Sequence, residues 1–480
     1  MSTTGKNKRI LLIAAAAIIV VAAFLLFRQK GAFLPDSINW QEAECDFEEG
    51  KVQVYNRGAT ICYEGRNVWH SPWNYNVQQC LVSDIDRDGS EELLLLVWKR
   101  GSYGSHMPFW VERNDNELAQ HIFIYKWEPE RDYKLRAIWM SSAIGDSIDS
   151  MFSGNNGEIY ITDIDGSIKA WYWEGFGLKL LADDCKAVSC IALGDQLLNL
   201  PVIRKGIKSG DYSYMYEGIA DEVKEYDFAA LNQETVYVAD RGLVSDYPRF
   251  GSPGEIAGAV SDLGIDVVSL ANNHSLDKGM YGIDCSIDSN SKHDIVSVGV
   301  HGSKEDASDY RSAVTFMTVN DIRIAMLNFT YGTNGNPIPD ENPYAVELLK
   351  NEERLVNALD YARDEADCVM VFVHWGTEYS AEIDEMQEYY ADIMAEHGVD
   401  VVIGTHPHVV QQMKYISGQN HNMLIYYSLG NLISGQSSPE CLEGEAATFR
   451  IVKLPGRKTF VTDYDVKSLM TTGDTVVWAD

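Results

Sequence analysis

Short apolar runs that end on polar, metal-capable residues recur through the second half of the chain. The clearest begins at Val267 and ends at Leu270, and Asn273 and His274 follow closely. An unbroken apolar run with β-branched residues is typical of a buried parallel strand. Functional groups of α/β proteins collect at the carboxyl ends of such strands. The pattern therefore predicts a strand that presents Asn273 and His274 at the edge of a sheet.

The same layout recurs at four further places in the chain. Two of these runs end on histidine, one on an amide and a carboxylate, and one on a carboxylate. The residues are His374, His406 with His408, Asn232 with Glu234, and Asp195. A capping asparagine and a separately buried histidine explain one run alone, but they do not explain five. We therefore expect these side chains to converge at a single edge of one sheet.

Helical and strand patterns alternate from about residue 188 onward. The helical pattern predicts helices at residues 217–226, 352–365 and 383–397, and a predicted strand precedes or follows each of them. This alternation predicts an α/β fold with a largely parallel, helix-covered sheet over residues 187–480, with a β-patterned tail from Ala446. Residues 31–186 contain frequent Trp and Tyr and little helical periodicity, so they predict a separate β-rich domain.

The β-rich domain carries an acidic turn that resembles a calcium loop. Asp84, Asp86 and Asp88 alternate before a glycine, but Leu95 stands where an EF-hand needs a bidentate glutamate. An acidic turn that leads directly into a strand instead resembles the FG-GAP type of β-propeller repeat. A shorter copy at residues 163–166 and a faint repeat of roughly 40–50 residues predict a propeller-like or sandwich-like domain. Calcium binding and a turn without a ligand both remain open.

The N-terminus carries a membrane signal. Ile10 to Phe27 is an apolar run of 18 residues, near the lower limit for a spanning helix. A cleaved signal peptide is the alternative, but no small-x-small cleavage site follows the run. Residues 1–30 therefore predict a cytoplasmic tail and a transmembrane signal anchor. Basic residues are more numerous before the run than after it, which predicts a single-pass protein with its bulk outside the cell.

Charge and cysteine content narrow the range of functions. Lys and Arg total 39 against 71 Asp and Glu, for a net charge of −32 in 480 residues. This balance argues against nucleic acid as a partner, since phosphate contacts need basic surface. An anionic substrate then needs a local positive centre such as a bound cation. The eight cysteines fit an extracellular location, although their pairing cannot be read from the sequence.

The residue types at the strand ends suit a divalent transition metal. Imidazoles together with oxygen ligands favour Mn, Zn or Fe, as one ion or as a pair. His406 and His408 are two residues apart around Pro407, so on an extended segment both can reach one centre. His274 is a candidate ligand or proton donor.

These motifs together resemble a known family. Residues 187–480 are similar to the poly-γ-glutamate capsule biosynthesis family of the CapA type, a branch of the calcineurin-like metallophosphoesterase fold. The matching motifs are Gly194-Asp195, Asn232-Gln233-Glu234, Ala271-Asn272-Asn273-His274-Ser275-Leu276-Asp277, His374-Trp375-Gly376-Thr377-Glu378-Tyr379, Gly404-Thr405-His406-Pro407-His408-Val409 and Tyr427-Ser428-Leu429-Gly430-Asn431.

The resemblance implies roles for individual residues. The implied metal ligands are Asp195, Glu234, Asn273, His374, His406 and His408, with His274 as the proton donor. Residues expected to support the ligands or meet substrate are Asn232, Asp277, Glu378 and Asn431; Asp277 could instead cap a helix, and Glu378 could orient a neighbouring histidine. One departure stands out: Leu197 replaces the histidine of the Asp-x-His motif that opens most metallophosphoesterases. This departure puts a second metal ion, and ordinary phosphatase activity, in question.

The implied function is that of a membrane-anchored extracellular metal-dependent hydrolase or transferase. It would act in the synthesis, release or processing of an anionic capsule polymer such as poly-γ-glutamate. A second hypothesis is a non-catalytic assembly or secretion partner of a membrane capsule synthase. A third is a generic phosphoesterase.

Overall fold

The computed structural model describes residues 34–35, 38–104, 109–128, 134–145, 147–307, 309–418 and 421–479. The predicted membrane anchor at residues 10–27 lies outside this part of the chain. None of the helices formed by the described residues is long and apolar enough to cross a bilayer. The chain forms two compact units: unit 1 extends to Cys185, and unit 2 begins at Lys186.

Unit 1 is built of β-strands in its described residues. They are β1 (Ala43–Phe47), β2 (Gly50–Tyr55), β3 (Gly58–Tyr63), β4 (Arg66–His70), β5 (Asn76–Ser83), β6 (Glu92–Arg100), β7 (Leu118–Glu128), β8 (Lys134–Met140), β9 (Ile148–Ser153), β10 (Ile159–Asp163) and β11 (Ile168–Trp173). The chain passes from unit 1 into unit 2 within β12 (Leu178–Leu197).

The strands of unit 1 form three successive antiparallel sheets of four strands. Their orders are β1-β2-β3-β4, β5-β6-β7-β8, and β9-β10-β11 with the first part of β12. Successive side chains of a strand point to opposite faces, and β6 uses both faces. Leu93 and Leu95 pack into the core shared with the first sheet, whereas Leu94 and Leu96 pack into the core shared with the third. Three stacked sheets fall short of the four blades of a small propeller, so the propeller-like arrangement stays a prediction.

Unit 2 contains the remaining helices and strands. The helices are α1 (Leu200–Ser209), α2 (Ala220–Val223), α3 (Ile256–Leu263), α4 (Gly279–Ser291), α5 (Glu352–Glu365), α6 (Glu385–Glu396) and α7 (Pro439–Leu442). The strands after β12 are β13 (Phe228–Gln233), β14 (Tyr237–Val238), β15 (Ser252–Pro253), β16 (Val267–Ser269), β17 (Val296–Val298), β18 (Thr315–Val319), β19 (Ile322–Thr330), β20 (Cys368–His374), β21 (Val401–Thr405), β22 (Val410–Ser417), β23 (Asn422–Leu429), β24 (Asn431–Ser434), β25 (Glu443–Lys453), β26 (Thr459–Thr472) and β27 (Thr475–Trp478).

Two large mixed sheets form the centre of unit 2. In the first, β17, β16, β13 and β12 run parallel, and β25, β26 and β27 continue the sheet in antiparallel fashion. In the second, β19, β20, β21 and β23 are parallel, and β18 and β22 form antiparallel edges. The expected α/β class is therefore confirmed, but the expectation of one sheet is wrong. Hydrophobic periodicity identifies strands without indicating which sheet each one joins.

The sheets pack face to face between two layers of helices. On β20, Met370 and Phe372 face the core between the sheets, whereas Val371 and Val373 face α5 and α6. A third core lies between the other face of the first sheet and helices α1, α3 and α4. This order of layers, helix, sheet, sheet and helix, buries both faces of every central strand, which explains their continuous apolar runs.

One predicted helix is much shorter than expected. Residues 217–226 contain only α2, because Gly218 forms an isolated bridge with Val477 and the helix begins after it. The predicted helix at 352–365 is confirmed with the same bounds, and that at 383–397 is confirmed as α6.

A close backbone approach fixes the end of β12. A Cβ atom on Gly194 would lie 2.0 Å from the carbonyl oxygen of Gly430, so only glycine fits there. The same carbonyl accepts a hydrogen bond from the Asp195 amide at 2.9 Å. Asp195 consequently pairs with Asn431, the first residue of β24.

Candidate metal centre

The carboxyl ends of the parallel strands of both sheets carry the predicted site residues. Asp195, Asn232 and Glu234 lie at the ends of β12 and β13, and Asn273 follows β16 after a short loop. The second sheet contributes the histidines: His374 ends β20, whereas His406 and His408 follow β21. All these side chains are at least nine-tenths buried.

Glu234 is the centre of the cluster. Its side chain is fully buried, and neither carboxylate oxygen has a hydrogen-bond partner. The Nε2 atoms of His374 and His408 each lie 3.7 Å from its Oε1 atom. Burial raises the pKa of Glu234 well above its ordinary value, because a bare carboxylate is costly away from water. The carboxylate therefore needs a positive partner.

A first group of possible ligands combines Glu234 with His374 and His406. The Nδ1 atom of His374 contacts the Thr405 hydroxyl at 2.9 Å, and its Nε2 atom lies 3.1 Å from Oδ1 of Asn273. The Nδ1 atom of His406 is buried without a partner. Burial, with a further effect of the neighbouring histidines, lowers the pKa of His406 to about 3, so this imidazole is neutral. Neutral imidazoles beside a carboxylate are ligands ready for a metal ion.

A second group combines Glu234 with Asp195 and His408. Oδ2 of Asp195 lies 3.1 Å from Nδ1 of His408 and accepts a hydrogen bond from the His406 amide at 3.2 Å. Burial opposes the charged form of His408, but the carboxylates of Glu234 and Asp195 outweigh it and raise the pKa of His408 to about 10. In this group the imidazolium supplies the positive charge that the carboxylates need.

The two groups share Glu234 but differ in their ligands. Most metallophosphoesterases carry a histidine at the position of Leu197. The Leu197 side chain is buried and has no ligand atom. The second group therefore has one imidazole, whereas the first has two and an amide oxygen nearby. The unpartnered atoms of Glu234 and His406 fit a divalent transition metal, which Glu234, His374 and His406 would hold.

The remaining predicted residues support these groups. Nδ2 of Asn232 donates to Oδ1 of Asp195 at 2.7 Å, and Oδ1 of Asn431 lies 3.1 Å from Nδ1 of His408. Glu378 is exposed, and its charge adds to the rise in the pKa of Glu234. The hydroxyl of Thr405, and not Glu378, contacts Nδ1 of His374 and orients its ring.

His274 and Asp277 form a buried pair beside the ligand groups. Nδ1 of His274 lies 2.7 Å from Oδ2 of Asp277, which also accepts a hydrogen bond from the Phe250 amide at 2.7 Å. Because a carboxylate only accepts, Nδ1 carries the proton and Nε2 is left for chemistry. The helix cap at α4 is Lys278, so Asp277 orients His274 and does not cap the helix.

Sequence reasoning missed the segment that follows β19. The ring of Tyr331 lies 4.6 Å from that of His406, and Nδ2 of Asn334 lies 3.5 Å from Nε2 of His274. Asn336 donates to Oδ1 of Asp277 at 3.3 Å. The available signal was that β19, like the other strands, leads into a polar run.

The acidic turn of unit 1 already contains a cation. The amino group of Lys126 lies 3.4 Å from Asp86 and 3.1 Å from Glu92, and it also contacts Asp88. Asp84 is occupied by hydrogen bonds from the amides of Asp88 and Gly89. Calcium binding stays a prediction, and the lysine competes with it.

Replacing Lys126 tests this competition. We expect calcium to leave the thermal unfolding of the wild-type chain unchanged, because the ammonium group of Lys126 occupies the space between the carboxylates. In Lys126→Met the carboxylates lose that partner, so calcium should raise the unfolding temperature. Differential scanning calorimetry with and without millimolar calcium measures both; an equal rise in wild type would contradict the lysine's role.

Removing the shared carboxylate tests the metal centre. We expect Glu234→Gln to weaken binding of Mn or Zn by more than about 100-fold, whereas Glu378→Gln, which changes an exposed carboxylate, should keep it. Metal analysis after dialysis of the full chain measures this. Retention of metal by Glu234→Gln would contradict the site.

Without metal, we expect Glu234→Gln to be more stable than wild type. In the folded state the pKa of Glu234 lies well above its ordinary value of 4.5, so the side chain keeps its proton at higher pH than in the unfolded chain. Its contribution to the free energy of unfolding therefore falls as pH rises above that value. Glu234→Gln removes this cost, and Asp195 still pairs with the His408 imidazolium, so without metal the variant should unfold at a higher temperature than wild type at pH 7.

Comparisons with known proteins identify a family and similar sequences. The sequence model of the family "Bacterial capsule synthesis protein PGA_cap" matches residues 189–436. The PGA biosynthesis protein CapA of Bacillus subtilis (strain 168) is 28% identical over 303 residues, which cover 62% of this chain and 77% of that protein. The capsule biosynthesis protein CapA of Bacillus anthracis is 30% identical over 233 residues, 46% of this chain and 54% of that protein.

Among solved structures, the NAD nucleotidase of Haemophilus influenzae has a TM-score of 0.35 and 11% identity, covering 62% of this chain and 54% of that one. That likeness is too distant to assign a fold or a function. The family match, in contrast, spans more than half of the chain and contains every residue of the metal centre. The chain therefore belongs to the bacterial capsule synthesis protein family PGA_cap.

Proposed function

We propose that this protein is a metal-dependent hydrolase that cleaves or transfers an amide bond of an anionic capsule polymer such as poly-γ-glutamate. The observation that carries the proposal is the buried, unpartnered carboxylate of Glu234 between two groups of ligands, with the His274–Asp277 pair beside them. Ligands alone would fit a structural ion. An oriented imidazole next to them is what an acid–base reaction requires.

The residues divide into those that hold metal and those that move a proton. Glu234, His374 and His406, with Asn273, would hold one ion. Asp195, Glu234 and His408 would hold a second once His408 gives up its proton. A bound divalent ion would polarise the carbonyl under attack and acidify a water molecule. Mn, Zn and Fe all suit these ligands.

His274 would supply the proton that the departing amine needs. An amide nitrogen is a poor leaving group until it is protonated, so a general acid contributes directly to the rate. Asp277 fixes Nδ1 as the donor towards itself, which leaves Nε2 to give and take the reacting proton. Phe250 packs edge-on against the imidazole with ring centroids 4.8 Å apart and limits its rotation.

The charge of the chain is consistent with a cation-dependent substrate. With a net charge of −32, the protein repels a polyanion at long range. Cations held at Glu234 would therefore be the local positive centre for the polymer's carboxylates.

A second candidate function is that of a non-catalytic partner in polymer assembly or secretion, in contact with membrane synthase subunits. The buried Leu197 favours it, because the second ligand group lacks an imidazole there. In this case the metal would stabilise the fold without taking part in a reaction.

We also propose that the protein is attached to the outer face of the cell membrane. The apolar run at residues 10–27 would anchor the chain in the cell membrane, with both units outside. Protease added to intact protoplasts should then degrade the bulk of the chain, and complete protection would contradict this orientation.

Incubating the full chain with poly-γ-glutamate tests the catalytic proposal. Metal-loaded wild type should shorten the polymer or form new ends, and His274→Gln should reduce the rate by about 10²–10⁴-fold while keeping bound metal. Polymer length is followed by size-exclusion chromatography. His293→Gln, which changes an exposed histidine outside the site, is the matched control and should retain full activity.

The outcomes separate the candidate functions. Unchanged polymer, together with His274→Gln restoring capsule as well as wild type in a deletion strain, would support the assembly partner over the enzyme. Rapid turnover of an aryl phosphate that depends on His274, without any change in the polymer, would indicate a phosphoesterase.

A further inference from the structure

Two cysteines of unit 1 face each other across different sheets. Cys45 lies on β1 and Cys80 on β5, and their Sγ atoms are 3.7 Å apart. Both side chains belong to the core between the first two sheets. A disulfide needs about 2.05 Å between sulfurs, so a small side-chain rotation would bring the two into bonding distance. Cys80 is 2% exposed, whereas Cys45 is half-buried.

One backbone hydrogen bond and one bond to a side chain hold the two segments side by side. The Gln41 amide donates to the Gln78 carbonyl at 2.9 Å, and the Cys80 amide donates to Oε1 of Gln41 at 2.9 Å. These bonds place the segment that leads into β1 along β5. Both bonds involve Gln41, four residues before Cys45, so they help to keep Cys45 close to Cys80.

The third cysteine of this region points elsewhere. In the first sheet Cys45 pairs with Val52, and Val52 pairs with Ile61, so these three side chains share one face. Cys62 follows Ile61 in β3 and lies on the opposite face of the strand. The geometry thus separates Cys62 from the other two.

We propose that Cys45 and Cys80 form a disulfide that joins the first two sheets of unit 1. This inference is independent of the metal centre and of the proposed reaction. The bond would close a loop across 35 sequence positions. It would stabilise unit 1 by restricting the unfolded chain.

The oxidation is a thiol–disulfide exchange with an external disulfide, such as glutathione disulfide or an oxidised dithiol oxidoreductase. The Cys45 thiolate attacks one sulfur of that disulfide, whose S–S bond breaks and releases one thiol. The Cys80 sulfur then attacks Cys45, giving up its proton, and releases the second thiol. Two protein thiols are oxidised and one external disulfide is reduced.

The environment suits Cys45 as the attacking group. A hydrogen bond with the Cys80 thiol lowers the pKa of Cys45, which favours its thiolate. Cys45 is also the more exposed of the two, whereas Cys80 is placed to resolve the mixed disulfide.

Non-reducing peptide mapping of the full chain tests the proposal. The purified protein is incubated with glutathione disulfide, remaining thiols are alkylated, and peptides are identified by mass spectrometry. We expect a peptide that links Cys45 to Cys80 in wild type and in Cys62→Ser, the matched control. Oxidation should also raise the unfolding temperature of both proteins by on the order of 5–10 °C.

Cys45→Ser should lose both the linked peptide and the rise in unfolding temperature. The wild-type map decides the question even if Cys45→Ser fails to fold. The proposal is overturned if Cys45 and Cys80 are still free thiols after oxidation, so that the reagent alkylates both fully. It is also overturned if Cys45 is found joined to Cys62.

Discussion

The carboxylate of Glu234 is the group on which the account of this protein depends. It lies fully buried, without a hydrogen-bond partner, and within 3.7 Å of the Nε2 atoms of two histidines. A buried carboxylate in that state is costly unless a cation accompanies it. The structure meets the need in part with the imidazolium of His408, and the neutral His374 and His406 leave room for a metal ion.

The layered fold creates this concentration of charge. Two sheets packed face to face bring the carboxyl ends of their parallel strands to the same place, so oxygen ligands arrive from one sheet and imidazoles from the other. Close contact between Gly194 and the Gly430 carbonyl locks the strand that carries Asp195. The energy of the large apolar cores thus supports a cluster of polar groups that would not assemble by itself.

The sequence was sufficient to predict the strand ends and the polar side chains that meet there, because these side chains follow apolar runs. It could not predict that the runs divide between two sheets, since periodicity carries no information about pairing partners. It also could not reveal Tyr331, Thr405 or Asn334, whose roles arise from contacts across the fold. The propeller expectation for unit 1 rested on turn chemistry, and Lys126, forty residues from Asp86 in sequence, enters that turn only in three dimensions.

Unit 1 and unit 2 differ in the partners of their clustered carboxylates. In unit 1 the ammonium group of Lys126 lies among the carboxylates of Asp86, Asp88 and Glu92 and partly compensates their charge. In unit 2 both oxygens of the buried Glu234 carboxylate lack a hydrogen-bond partner, a feature common at functional sites and rare elsewhere. This contrast is a physical reason to assign the chemistry to unit 2.

Anomalous X-ray diffraction from crystals of the Mn- or Zn-loaded full chain tests the central claim most directly. The account predicts a strong anomalous peak about 2.0–2.2 Å from a Glu234 oxygen and from nitrogens of His374 and His406. A protein that binds the metal stoichiometrically but shows the peak elsewhere, with Glu234 still unliganded, would contradict it.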